Sequence, residues 1–200
     1  SLLVAAFVGG NTLSAQTITK NEDGKYSLSV GHVTLTVDAQ KGGKIVSYRY
    51  DDKEILSQTR MPNSFGSTFW TSPQSEWNWP PVPEYDYKPF SAQIKDASLV
   101  LTGEKSPHFG YRVRKEFTAN AKNQSIEITY TLINESGETR KVAPWEISRV
   151  PNGGILFFDA KEATPANNMK GLPFEYKMKA AWYVLDEDQN HRKINADGKG

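Results

Sequence analysis

The stretch HVTLTVDA (residues 32–39) alternates apolar and polar side chains, and this period of two indicates the fold class. Val33, Leu35 and Val37 fall on one face of an extended chain, because successive side chains of a strand point to opposite sides. The stretch QSIEITYTLINES (124–136) repeats the pattern over a longer distance. Both stretches therefore predict β-strands with one buried and one solvated face.

The same period recurs along most of the chain, interrupted by turn residues such as Asp51-Asp52 and the run from Pro151 to Gly154. The further predicted strands are 26–30, 44–52, 97–104, 110–119, 138–148, 153–160 and two within 174–188. In YRVRKEF (111–117) the basic residues are interpreted as the wet face of a strand. No stretch keeps the helical period of 3.6, so we expect an all-β fold, an antiparallel sandwich or barrel.

Composition excludes several classes of function. Lys plus Arg number 24 and Asp plus Glu number 23 in 200 residues, so the chain carries no net field for nucleic acid or an anionic membrane. Cysteine is absent, which excludes disulfides, thiolate nucleophiles and Cys-ligated metals. The sequence contains no cofactor-binding motif and no metal-ligand spacing such as HExxH, so neither a cofactor nor a metal is expected.

The two ends of the chain predict where the protein is located and how much of its domain the chain contains. The apolar run SLLVAAFVGG, followed by NTLSA, makes residues 1–15 resemble the remnant of a secretory signal, too short to span a bilayer. The alternative is a buried first strand; the polar, turn-like residues that follow favour the signal and a secreted or periplasmic protein. Residues 16–200 are then one β-sandwich domain. HRKINADGKG (191–200) reads as a strand without a partner, which predicts that the domain is a fragment. The sequence leaves the oligomeric state open.

Residues 62–90 break the rhythm of the strands. They hold six of the eleven prolines and three of the five tryptophans of the chain. Disordered segments are poor in aromatic residues, so we expect an ordered, proline-stiffened loop packed beside a sheet.

This loop is the first candidate site. Indole and phenol rings stack on the apolar faces of sugar rings, and neighbouring carboxylates and amides bond the hydroxyls. The aromatic candidates are Phe69, Trp70, Trp77, Trp79, Tyr85 and Tyr87. The polar candidates are Gln74, Glu76, Asn78, Glu84 and Asp86. The alternative is that the rings plug one end of the sandwich, since a buried aromatic side chain stabilises any loop.

APWEISRVPNGG (143–154) is the second candidate, with Trp145, Glu146 and Arg149 at the end of a strand. Glu146 is a candidate acid or base, and Arg149 a candidate ligand for a substrate oxygen. The alternative is a surface Glu–Arg pair, although strand alternation places residues i and i+3 on opposite faces. His108, in a turn with Gly110, is the histidine best placed for acid–base chemistry, and its alternative is a solvated turn residue.

Three stretches carry a resemblance to a known family. GGKIVSYRYDDKEIL (42–56) and the run from His108 to Val150 resemble the galactose mutarotase-like superfamily. TSPQSEWNWPP (71–81) is similar to the Pro-Gln-x-x-Trp-x-Trp-Pro-Pro loop of an uncharacterised, exported branch of that superfamily. The resemblance spans roughly residues 26–160 and is specific mainly in the loop. It implies an antiparallel supersandwich whose concave face binds a carbohydrate.

In the epimerases of that superfamily, the resemblance would imply a histidine acid and a glutamate base. The matching strand here, from Trp145 to Arg149, has no histidine, and the late glutamate would lie beyond Gly200. The resemblance therefore carries over the location of the site and not the catalytic residues. Two hypotheses follow: an exported carbohydrate-binding or carbohydrate-active protein, or a non-catalytic structural or glycan-binding module of a cell-surface polysaccharide system.

Overall fold

A computed structural model describes residues 16–59, 64–151, 154–159 and 175–185. The predicted signal remnant 1–15 and the predicted last strand in 191–200 lie outside these ranges. The strands are β1 Thr17–Lys20, β2 Tyr26–Val30, β3 Val33–Asp38, β4 Lys44–Tyr50, β5 Lys53–Glu54, β6 Gln58–Thr59, β7 Ser64–Phe65, β8 Ser67–Ser72, β9 Ser91–Lys95, β10 Ser98–Lys105, β11 Tyr111–Asn120, β12 Ser125–Asn134, β13 Ala143–Ser148, β14 Gly154–Asp159, β15 Glu175–Lys177 and β16 Ala180–Leu185. A 3-10 helix covers Gln74–Glu76, and a single α-helical turn, α1, covers Pro83–Asp86.

Two antiparallel sheets form the body of the protein. The first has seven strands in the order β1-β2-β3-β4-β8-β13, with β5 paired to β4, and the second has the order β12-β11-β10-β9. Strands β14, β16 and β15 form a third sheet, and β6 pairs with β7. Every strand pair among the described residues is antiparallel, as the alternating pattern predicts.

The hydrophobic core lies between the seven-stranded and the four-stranded sheet. Leu28 and Val37 of the first sheet and Val113 and Phe117 of the second are completely buried in one cluster. Burying a side chain of this size stabilises the fold by about 1.5–3 kcal/mol. The all-β sandwich predicted from the period of two is therefore confirmed.

Most predicted strands are confirmed to within two or three residues, and four predictions are wrong. Thr17–Lys20, predicted to be turn-like, is strand β1, because its alternation lets Ile18 pack against the core. The strand predicted from residue 138 begins at Ala143. The preceding chain turns instead, because Asn134 Oδ1 accepts hydrogen bonds from the backbone N–H and the hydroxyl of Ser136.

The third correction concerns 62–90, predicted as one irregular loop. Ser67–Ser72 is instead strand β8 of the large sheet, between β4 and β13. The alternation is hidden because Ser67 to Thr71 are buried on both faces of the sheet. The irregular part is shortened to 73–90, and Val82 and Tyr85 of this part pack into the core cluster.

The basic face predicted for 111–117 also needs a correction. Arg112 and Arg114 do point outward, but Lys115 shares the inner face of β11 with Val113 and Phe117 and is only 2% exposed. The period of two determines the face of the strand to which each side chain points, and a charge on the side chain does not change that face. A lysine therefore lies inside the core of the sandwich.

Candidate functional site

Four tryptophans from two strands and a loop form one cluster. Its members, named the tryptophan cluster below, are Trp70 on β8, Trp145 on β13, and Trp77 and Trp79 after the 3-10 helix. Trp70 lies at the centre, with its ring centroid 5.6 Å from that of Trp145, 5.9 Å from Trp77 and 6.0 Å from Trp79. Trp77 and Trp145 lie 6.2 Å apart. The aromatic candidates of the loop and of β13 are thus brought together.

Strand pairing explains why Trp145 meets Trp70 although 75 residues separate them. The two residues are direct partners in the register of β13 against β8, so their side chains leave the sheet on the same face. The chain then turns over this face: the N–H of Trp77 bonds the Gln74 carbonyl at 3.1 Å, closing the 3-10 helix. The peptide bonds before Pro73 and Pro80 are cis.

Two indole N–H groups anchor the inner half of the cluster. Trp70 Nε1 donates to Asp86 Oδ1 at 2.8 Å, and Trp77 Nε1 donates to the Thr71 carbonyl at 2.9 Å. Trp70 is only 8% exposed, which makes it the floor of the cluster. Both of these rings are therefore held in place by polar partners as well as by packing.

The outer half of the cluster faces solvent. Trp79 is 68% exposed, and Trp77 and Trp145 are half-buried. Within the described residues, the indole N–H groups of Trp79 and Trp145 make no hydrogen bond. Beside Trp145 lies an open groove of about 400 Å³. It is lined by Ser72, Pro73, Gln74, Ala143, Pro144 and Trp145. Of the predicted site residues, Gln74 and Trp145 line this groove.

Glu146 does not join the tryptophan cluster. It follows Trp145 on β13 and pairs in register with Phe69, so it points to the opposite, core-facing side of the sheet. There its carboxylate accepts hydrogen bonds from the hydroxyls of Ser67 and Ser148. Glu146 remains solvent-exposed because β13 is an edge strand.

Arg149 belongs to the tryptophan side of β13. Its guanidinium carbon lies 6.0 Å from the ring centroid of Trp70, and its Nη1 donates to Thr68 Oγ1 at 3.2 Å. Partial burial lowers the pKa of Arg149 from its ordinary value, while the carboxylates of Asp86 and Glu146 act in the opposite direction. Within the described residues no ion pair joins Arg149 to Glu146, which agrees with the alternation argument.

The remaining predicted residues are dispersed. His108 packs edge-on against Phe109 in the turn between β10 and β11, in the other sheet. Glu76 is half-buried on the 3-10 helix and does not line the groove. No hydrogen bond or ion pair joins any two of Glu76, His108, Glu146 and Arg149 in the ranges that the structure describes.

Three other candidates of the loop are buried inside the fold. Phe69 and Tyr85 are core residues, each 1% exposed, and Glu84 is buried with its carboxylate bonded to Lys88 Nζ at 2.8 Å. Asp86, in contrast, supports the cluster through Trp70, and Tyr87 is 58% exposed beside it in sequence.

Sequence reasoning missed Lys115, which packs beneath the site. Its Nζ donates to the carbonyls of Gly42 and Gly43, at 2.6 and 3.3 Å. The ring centroids of Phe69, Phe90 and Tyr130 lie 5.8, 5.2 and 5.9 Å from Nζ. Burial lowers the pKa of Lys115 to about 7, opposed by the carboxylates of Asp86 and Glu146. The period of two through Val113 and Phe117 was the signal that places this lysine inside.

Within the part of the chain that the structure describes, no group of three His, Asp or Glu side chains could hold a metal ion. In the same residues, no helix is long and apolar enough to cross a membrane.

Comparison with known proteins found no matching family model and no matching curated protein. Among solved structures, the chain is similar to 4-alpha-glucanotransferase from Thermococcus litoralis, with a TM-score of 0.41 and 11% sequence identity. The match covers 73% of this chain and 29% of that enzyme, so the chain spans less than a third of its length.

Proposed function

We propose that this chain is an exported carbohydrate-binding domain of the mutarotase-like kind, and that the tryptophan cluster is its saccharide-binding face. The observation that carries the proposal is the outward half of the cluster: exposed Trp79 and half-buried Trp145, each with an indole N–H that has no partner in the described residues. An aromatic ring with a free polar edge can stack on the apolar face of a sugar ring and bond one of its hydroxyls. The resemblance of residues 1–15 to a secretory signal and the loop pattern of residues 71–81 support the proposal from the sequence.

Binding without catalysis fits the placement of the ionisable groups. A sugar-isomerising site needs an acid and a base within hydrogen-bond reach of one bound ring. Glu146 lies on the opposite face of β13 from Trp145, and His108 lies in the other sheet. The glycan-binding module of a cell-surface polysaccharide system is therefore preferred to an epimerase-like enzyme.

The exposed ring gives the first test. We expect Trp79→Ala to weaken saccharide binding by about 1–3 kcal/mol, because a stacked aromatic anchor is lost. Stability should change little, since 68% of the side chain is already in contact with solvent. The measurement is isothermal titration calorimetry with a panel of neutral and acidic mono- and oligosaccharides, beside thermal unfolding of each variant.

A matched control is Tyr50→Ala. Tyr50 is 53% exposed and stacks on His32 at the end of β4, outside the tryptophan cluster. Its loss should leave every affinity unchanged. If no saccharide of the panel binds to the wild-type chain, or if Tyr50→Ala weakens binding as much as Trp79→Ala does, the cluster is a structural plug and the proposed function is wrong.

A further inference from the structure

Arg149 is a cation placed in an otherwise aromatic surface. It lies over Trp70, the central ring of the cluster, which also contacts Trp77, Trp79 and Trp145. The strand places it there: Trp145 and Arg149 are four residues apart along β13 and its end, and even spacings share a face.

The guanidinium is only partly used by the protein. Of its five N–H donors, one is bonded to Thr68 Oγ1, and Arg149 forms no ion pair in the described ranges. The carboxylate of Asp86 accepts a hydrogen bond from Trp70 Nε1 at 2.8 Å. Glu146 is engaged by Ser67 and Ser148 across the sheet. A half-buried arginine that lacks an ionic partner has donors left for an anionic ligand.

A carboxylate matches these donors better than a hydroxyl does. The planar guanidinium fork bonds a carboxylate through two parallel N–H···O bonds, and partial exclusion of water strengthens them. We propose that the tryptophan cluster binds acidic saccharides, with Arg149 receiving the carboxylate of a uronic acid while a neighbouring indole stacks on the sugar ring. This inference rests on the proposed function and names its ligand class.

The test compares one acidic oligosaccharide with its own neutral form. The probes are a galacturonic acid trisaccharide and its fully methyl-esterified form, which keep ring, linkage and length and differ in charge. We expect the acid to bind wild-type protein at least about tenfold more tightly, the size of a hydrogen-bonded charge contact. Raising the salt concentration should weaken binding of the acid and leave binding of the ester unchanged.

Variants of Arg149 test whether this residue makes the charge contact with the acid. Arg149→Gln should reduce affinity for the acid at least about tenfold and for the ester less than about threefold, and Arg149→Lys should fall between wild type and Arg149→Gln. The control is Arg112→Gln, because Arg112 lies on the other sheet and is paired with Glu135 at 3.0 Å. It should alter neither affinity. If Arg149→Gln does not fold, the comparison of acid with ester on wild-type protein decides alone.

The outcomes separate this inference from the proposed function. If acid and ester bind wild type equally, or if neutral sugars bind through Trp79 while the acid does not, the ligand is not a uronate and the inference is wrong, although saccharide binding stands. If a sulfated trisaccharide binds more tightly than the carboxylate, the assignment to uronic acids is wrong. If no saccharide binds at all, the proposed function fails with it.

Discussion

Gly42→Ala is expected to destabilise the protein by about 3–5 kcal/mol and to disturb the tryptophan cluster. Gly42 has a φ of +65°, and an added Cβ would lie 2.1 Å from the backbone oxygen of Asp86. A methyl group cannot occupy that space, so either the Gly42 turn or α1 must shift. Because Asp86 also holds the Trp70 indole, the strain reaches the floor of the site.

Gly24→Ala is the matched control. Gly24 has a φ of +82°, but an added Cβ would meet nothing within 4 Å. This substitution should lower the free energy of unfolding by only about 1 kcal/mol, the cost of holding alanine in the left-handed backbone conformation. Urea unfolding gives both free energies, and the near-ultraviolet circular dichroism of the tryptophans reports the site. Equal losses in the two variants would show that the close approach of Gly42 to Asp86 does not exist.

Because Lys115 is buried, we expect the free energy of unfolding of the protein to rise with pH. Its pKa is lowered to about 7 in the folded chain, from an ordinary value of 10.5. Below pH 7 both states hold the proton and the contribution is constant. Between pH 7 and 10.5 the unfolded chain binds a proton that the folded chain has released. The free energy of unfolding therefore rises over this window, by at most about 1.4 kcal/mol per pH unit.

Lys115→Met isolates this effect. The variant should lack the rise, so its stability relative to wild type should fall steadily from pH 7 to 10. Burial raises the pKa of Tyr85 and Tyr130. Above pH 10 the folded chain therefore holds protons that the unfolded chain loses, and both proteins should become less stable. Lys95→Met, at an exposed position of β9, should keep the wild-type profile. Parallel profiles for wild type and Lys115→Met between pH 7 and 10 would contradict a buried, titrating Lys115.

The strands could be predicted from the sequence because each has one face in the core. β2, β3 and β12 show the period of two openly, and their bounds were predicted to within a few residues. β8 could not be found in this way, since both of its faces are covered and Phe69 and Trp70 are adjacent apolar residues. Periodicity carries no signal where both sides of a strand are buried.

The candidate site could be predicted in its composition but not in its geometry. The aromatic loop indicated the tryptophans, but the partnership of Trp145 with Trp70 depends on the pairing of β13 with β8. Strand alternation by itself separates Trp145 from Glu146, because adjacent residues of a strand point to opposite faces. The place of Asp86 depends on α1 and on its approach to Gly42, which no local pattern specifies.

The indole N–H resonances report whether a saccharide binds at the tryptophan cluster. The chain has five tryptophans, and Trp182 lies on β16 in the third sheet, stacked on Phe157 at 5.1 Å, outside the cluster. We would titrate ¹⁵N-labelled protein with the galacturonic acid trisaccharide, its methyl ester and a neutral oligosaccharide panel, and follow the five indole N–H peaks. Binding at the tryptophan cluster predicts saturable shifts of Trp79 and Trp145 with an unmoved Trp182. Unmoved peaks of Trp79 and Trp145 at saturating saccharide would contradict it.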